Sequence, residues 1–163
     1  LSIGNEALEL VLVELGRSAG PEFRHVVLVN GHGGNHQPVS RAVTRLRRER
    51  RSVSSWSPRL ASSDAHAGYT ETSLLLALAP ELVHMDRAVV GDARPLQELM
   101  PLLRHGGVAA VSANGVLGDP TRADAAAGAQ LFEELVEQLQ AAVLTAVQGE
   151  ADGSSRPLGG GLA

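Results

Sequence analysis

Residues 25–35 set the fold class of this chain, and they read His25-Val26-Val27-Leu28-Val29-Asn30-Gly31-His32-Gly33-Gly34-Asn35. The four aliphatic residues at 26–29 are typical of a strand that is buried on both faces of a parallel sheet. The strand ends in a loop with three glycines and one imidazole, and a helical pattern follows from Gln37. This succession predicts an α/β fold.

Helical and strand patterns alternate on both sides of this stretch. We predict helices over 8–16, 37–51, 70–80, 96–103 and 121–147, and a second strand over 52–57. Thr70 is expected to cap the third of these helices, and Thr121 and Asp124 are expected to form a capping box for the last one. The alternation predicts helices packed on a mainly parallel sheet.

The chain of 163 residues has the length of one ordinary domain, with 44% hydrophobic and 20% charged residues. Residues 149–163 are rich in Gly and lack periodicity, which predicts a disordered tail. We therefore expect one domain over 1–148 and a tail over 149–163.

Composition also limits the classes of function. The chain has no cysteine, so these residues offer no disulfide, no Cys-ligated zinc and no thiol nucleophile. No apolar run approaches the ~20 residues of a membrane span, and no signal-peptide pattern is visible, so we expect a cytoplasmic location and no membrane partner. A net charge of -4 and 2% aromatic residues argue against a nucleic-acid partner, although residues 41–51 are rich in arginine.

The loop over residues 30–35 lies where α/β sheets place their sites, beyond the carboxyl end of a strand. Its glycines allow a sharp turn and a close approach to a ligand, and His32 is a natural metal ligand or proton carrier. The loop is neither a Rossmann fingerprint nor a P-loop, because the spacing fails at His36 and the chain has no lysine. A tight turn with an incidental imidazole remains the alternative.

A second cluster covers residues 64–73, Asp-Ala-His-Ala-Gly-Tyr-Thr-Glu-Thr-Ser. Glu71 falls in the first turn of a predicted helix, where the helix dipole alone would favour a carboxylate. The functional hypothesis is that His66 and Glu71 converge with His32 around a divalent metal. Imidazole and carboxylate without thiolate suit Zn²⁺, Mn²⁺ or Fe²⁺.

Three segments of the chain resemble motifs of the creatininase (creatinine amidohydrolase) family: residues 27–35, 66–73 and 115–121. The resemblance implies a three-layer α/β fold, with a mainly parallel sheet flanked by helices, and a metal-dependent amide hydrolase. It further implies that His32 is a metal ligand, that Glu71 is a ligand at a second metal, and that His66 carries a proton. The site loop would comprise Asn30, Gly31, Gly33, Gly34 and Asn35, and the protein would be a homo-oligomer.

Within that family, residues 2–4, 16–19 and 106–112 are similar to the creatininase-like peptidases of mycofactocin biosynthesis. This implies a precursor peptide as substrate, from which a modified C-terminal dipeptide derived from Val and Tyr is released. Creatininase itself carries a Glu where this loop has Gly34, which argues against creatinine as the substrate.

One part of the family pattern does not occur in this sequence. The family's Glu-x-His and a following Asp, which supply further metal ligands, are absent from these 163 residues. We therefore expect the chain to lack the N-terminal strands of the fold. The alternative function is a catalytically inactive remnant that acts at most as a binding protein.

Overall fold

The computed structural model describes residues 2–19, 22–60 and 64–151. These residues form five α-helices and two β-strands: α1 (Asn5–Ala19), β1 (Val26–Val29), α2 (His36–Arg48), β2 (Val53–Trp56), α3 (Tyr69–Leu78), α4 (Leu96–Gly106) and α5 (Ala125–Ala151). The chain divides into two compact units, one of residues 1–58 and 137–163 and the other of residues 59–136.

The first unit contains a parallel strand pair. Val26 of β1 lies opposite Val53 of β2, and Val29 lies opposite Trp56. Parallel strands need a long crossover connection, and α2 provides it. The predicted parallel α/β arrangement is confirmed.

A small apolar core holds this unit together, formed by α1, α2 and β2. Its buried members are Val13, Val39, Ala42, Val43, Leu46 and Val53. Leu46 is fully buried and lies against Gly16 of α1. Arg17 of α1 also donates two hydrogen bonds, of 2.8 and 2.5 Å, to the carboxylate of Glu49 just after α2. Both contacts fix α1 on α2.

The prediction that β1 is buried on both faces is wrong. Val26 and Leu28 pack against the core, but they are only half-buried, and Val29 is 58% exposed. Side chains of a strand alternate between its two faces. Val26 and Leu28 share the face that the core covers, and Val29 lies on the opposite face, which this core does not cover.

The second unit contains α3, α4 and the first part of α5. Ser73 of α3 is fully buried, and its Oγ accepts a hydrogen bond of 3.1 Å from the backbone N–H of Asp124. A Cβ atom at Gly128 of α5 would overlap the backbone carbonyl of Ser73. The start of α5 therefore packs closely on α3.

The predicted cap at Thr70 is wrong, and of the predicted capping box only Asp124 caps its helix. Thr70 lies inside α3, and the N–H groups of Tyr69 and Thr70 are instead bound by the Asp64 carboxylate. Thr121 bonds to Asp119, and α5 begins later, at Ala125. There the Asp124 carboxylate accepts a 2.9 Å hydrogen bond from the backbone N–H of Ala127. In each case a carboxylate, the stronger acceptor, takes the backbone N–H groups at the helix start.

The last helix begins and ends four residues later than predicted, because α5 runs from Ala125 to Ala151. The remainder of the predicted tail, residues 152–163, lies outside the described residues. Among the helices described, none combines the length and the apolar character that crossing a bilayer requires.

The contact between α3 and α5 generates a stability prediction. Gly128→Ala should reduce the free energy of unfolding by about 1–3 kcal/mol, because the added methyl meets a backbone carbonyl that has nowhere to move. That loss should outweigh the gain of about 1 kcal/mol from replacing a helical Gly with Ala. Urea unfolding followed by circular dichroism measures the difference.

The matched control is Gly16→Ala, since a Cβ there would meet the flexible methyl end of Leu46. We expect a smaller loss for this variant. A Gly128→Ala protein that is more stable than the parent would contradict the close packing of α5 on α3.

Candidate functional site

An imidazole in the loop before α3 is paired with a carboxylate in the first turn of α3. His66 Nδ1 lies 3.3 Å from Glu71 Oε2, and the backbone N–H of Ala67 donates a 2.5 Å hydrogen bond to the same oxygen. The side chains of His66 and Glu71 are 50% and 54% exposed. The pair is therefore open to a substrate while its geometry is held by the backbone.

The backbone of this loop adopts an uncommon conformation. Ala67 has a φ of 51°, in the left-handed region that residues with a Cβ rarely occupy. Next to it, His66 forms an antiparallel bridge with Leu117, with hydrogen bonds of 3.2 and 2.8 Å in the two directions. The segment over 66–73 is thus joined to the segment over 115–121, and both belong to the second unit.

The loop after β1 belongs to the first unit and presents His32 to solvent. Asn30 is buried, and its Oδ1 accepts a 3.2 Å hydrogen bond from the backbone N–H of His32. A Cβ atom at Gly34 would lie 2.7 Å from His32 Nε2, so the absence of a side chain at Gly34 leaves room for the imidazole. Gly31, Gly33 and Asn35 complete the loop, which enters α2 through a 3₁₀ turn.

The structure therefore brings together some of the predicted site residues. His66 and Glu71 contact each other, and Asp64 precedes them in the same loop. His32 lies in the other unit, and its convergence with the pair stays a prediction.

The donors fit a metal in kind but not in number. An imidazole and a carboxylate are suitable ligands for Zn²⁺ or Mn²⁺, but a protein site normally supplies three or more such groups. Within residues 2–19, 22–60 and 64–151, no group of three His, Asp or Glu side chains is placed to hold an ion. The described residues alone do not complete a metal site.

A groove of about 410 Å³ borders Glu71 in the second unit. The sequence analysis did not predict this groove, because residues 84–120 show no clear helical or strand periodicity. The aliphatic residues at 82, 83 and 89 were a signal of it. Its apolar lining comes from α3 and from the segment that follows: Ala67, Leu75, Leu82, Val83, Val89 and Val116. His84 and Arg87 add polar groups to the lining.

The third segment carries a carboxylate that is held in its ionised form. Thr121 donates to Asp119 Oδ1 through its hydroxyl at 2.6 Å and through its backbone N–H at 2.9 Å. These hydrogen bonds lower the pKa of Asp119 below its ordinary value.

Comparison with known proteins supports the resemblance in the sequence. The family model described as Creatininase, creatinine amidohydrolase, matches residues 1–143. A mycofactocin precursor peptide peptidase of Mycolicibacterium smegmatis (strain ATCC 700084 / mc(2)155) is 53% identical over 137 residues, which are 83% of this chain and 55% of that protein. The peptidase of the same name from Mycobacterium tuberculosis (strain CDC 1551 / Oshkosh) is 51% identical over 138 residues, 84% of this chain and 55% of that protein.

Solved structures agree on the fold. A crystal structure of creatinine amidohydrolase (creatininase) superimposes with a TM-score of 0.71 at 25% identity, covering 88% of this chain and 64% of that one. A structure described as Creatininase Mn has a TM-score of 0.70 at 25% identity, with 88% and 65% coverage. The family match covers most of the chain, and the chain belongs to the creatininase family. It spans 55% of the length of the curated peptidases that it resembles.

Proposed function

We propose that this chain is part of an amide hydrolase that cleaves the mycofactocin precursor peptide and releases its modified C-terminal dipeptide. One observation carries the proposal, the 53% identity to peptidases of that name against 25% to creatinine amidohydrolase. The match spans 137 of the 163 residues. The residues left out are too few to exclude His32 or the segment over 66–71 from either end.

The His66–Glu71 pair supports the hydrolytic role. Neutral imidazole carries one N–H, and the 3.3 Å approach to Glu71 favours that proton on Nδ1. Nε2 is then the atom that exchanges protons with the reacting amide. In this proposal the Glu71 carboxylate orients the ring, and His66 Nε2 takes a proton from the attacking water and then delivers it to the departing amine.

A divalent metal, Zn²⁺, Mn²⁺ or Fe²⁺, belongs to the proposal as the family's cofactor, with His32 and Glu71 among its ligands. When bound, such an ion makes water nucleophilic near neutral pH and polarises a carbonyl. The remaining ligands would have to come from outside the described residues, since those residues hold no group of three donors.

The groove beside Glu71 is the proposed place for apolar groups of the peptide. Its lining is mostly aliphatic, and Glu71 and Ala67 belong to its wall, so an apolar side chain seated there would lie next to the reacting amide. Apolar grooves with a few polar groups are the usual form of small-ligand sites.

The direct test of the function is an activity assay with two substrates. The protein is incubated with the precursor peptide that carries its modified C-terminus, and the released dipeptide is measured by mass spectrometry; a parallel assay follows creatinine. We expect dipeptide release and no turnover of creatinine. Hydrolysis of creatinine in preference to the peptide would reverse the assignment.

His66→Gln tests the proton carrier. We expect kcat to fall by about 10²–10⁴-fold, the usual contribution of a positioned general acid or base, with an unchanged circular dichroism spectrum. The matched control is His105→Gln at the exposed end of α4, which should keep the parent rate. A normal rate in His66→Gln would remove His66 from the chemistry.

Val89→Ser tests the groove. Removing one apolar contact to the substrate should raise KM by about tenfold and leave kcat nearly unchanged, because the contact is the same in the ground and transition states. Val90→Ser is the matched control, since Val90 is similarly exposed but lies outside the lining. Equal KM values for the two variants would mean that the peptide does not use the groove.

Removal of the metal distinguishes the proposed metal-dependent enzyme from the alternative, an inactive binding protein. Exhaustive chelation should abolish dipeptide release, and added Zn²⁺, Mn²⁺ or Fe²⁺ should restore it.

Calorimetric titration with the metal should show stoichiometric binding. The affinity for the metal should be weakened by His32→Ala and by Glu71→Gln and unchanged by His105→Gln. The alternative is a binding protein without activity, and a chain that neither binds metal nor cleaves the peptide would support it.

A further inference from the structure

We propose that Asp64 is a positioning residue, whose carboxylate holds the turn that carries His66 and Glu71 in the geometry required for proton transfer. Its effect on catalysis rests on the proposed function. Its effect on the geometry of the pair does not, and the two are tested separately below.

The first support is a pair of hydrogen bonds. The backbone N–H of Tyr69 donates to Asp64 Oδ2, and the N–H of Thr70 donates to Oδ1 at 3.0 Å. Each carboxylate oxygen therefore holds one N–H of the first turn of α3, which leads directly to Glu71. A carboxylate at this end of a helix is also favoured by the helix dipole.

These hydrogen bonds do more than cap the start of α3. An ordinary N-cap side chain binds N–H groups two or three positions further along, but Asp64 lies five and six positions before its donors. The N-cap position is occupied by Gly68, which has no side chain to cap with. The Asp64 bonds close a loop over residues 65–68, and His66 lies within that loop.

The second support is the room made for this carboxylate. A Cβ atom at Gly118 would lie 2.5 Å from Asp64 Oδ2 and 2.7 Å from its Cβ, and a Cβ at Gly68 would also collide with the carboxylate. Gly118 has a φ of 152° and follows Leu117, the bridge partner of His66. Two glycines from different segments thus enclose the Asp64 side chain that closes the loop.

The third support is the uncommon backbone at Ala67. Conformations of this kind persist only where neighbouring contacts hold them. The contacts on either side of Ala67 are the His66–Leu117 bridge and the bonds from Tyr69 and Thr70 to Asp64. Loss of the Asp64 bonds would release the Ala67 N–H and the His66 ring from Glu71.

Asp64→Asn is the first test, because Asn keeps the shape but replaces one acceptor oxygen with a donor. Amide exchange at Tyr69 and Thr70, followed by NMR, should become about tenfold faster. The kcat for dipeptide release should fall by about 10²-fold with little change in KM, as expected when a reacting group is misplaced. The control is Asp92→Asn, which removes a carboxylate that binds Arg94 in the same unit.

Gly118→Ala is the second test and does not alter Asp64 itself. Its methyl should displace the carboxylate and reproduce both the faster amide exchange at Tyr69 and Thr70 and the lower kcat. Gly115→Ala is the matched control, since Gly115 also has a positive φ, of 80°, but a Cβ there meets no atom within 4 Å. Backbone strain acts in both variants, whereas displacement of the Asp64 carboxylate is expected only in Gly118→Ala.

Unchanged amide exchange at Tyr69 and Thr70 in both Asp64→Asn and Gly118→Ala would overturn the proposal. Faster exchange with an unchanged kcat in an active protein would also overturn it, because Asp64 would then be structural only. If the parent protein does not cleave the peptide, the proposed function fails. In that case the amide exchange and the NMR signal of the His66 ring still decide whether Asp64 holds the pair.

Discussion

The Asp64 carboxylate binds two backbone N–H groups at the start of α3, and the geometry of the candidate site depends on that interaction. It determines where the first turn of α3 lies, and therefore where Glu71 meets His66. Gly68 and Gly118 leave the space that the carboxylate fills. The bridge from His66 to Leu117 then ties this loop to the third segment of the family pattern, so residues from two distant parts of the sequence form one compact turn.

The loop after β1 is organised by different physics. Burial of aliphatic residues from α1, α2 and β2 fixes the β1–α2–β2 unit, and buried Asn30 binds the backbone of His32. The imidazole itself stays exposed at the carboxyl end of a parallel strand, where α/β proteins bind ligands. In this short segment the buried Asn30 holds the backbone, whereas His32 is the side chain that is open to a ligand.

Membership of the creatininase family does not by itself name a substrate, since one scaffold supports different chemistry through its loops. The difference between 53% and 25% identity separates the peptidase relatives from creatinine amidohydrolase. Gly34 leaves room at a position next to His32 Nε2. The groove beside Glu71 has a mostly aliphatic lining, and the proposed function places an apolar group of the peptide there.

The sequence by itself determined the parallel strand pair and the helix between the strands, because both rest on periodicity and on the order of elements along the chain. Tertiary structure decided the rest. Val29 is exposed because it lies on the face of β1 away from the core. Carboxylates, and not Thr70 or Thr121, bind the N–H groups at the starts of α3 and α5. The space around the Asp64 carboxylate and the lining of the groove both combine residues that are far apart in sequence. Gly118 lies against Asp64, and Val116 lines the groove together with Leu75. Local patterns report only on near neighbours, so such contacts cannot be read from them.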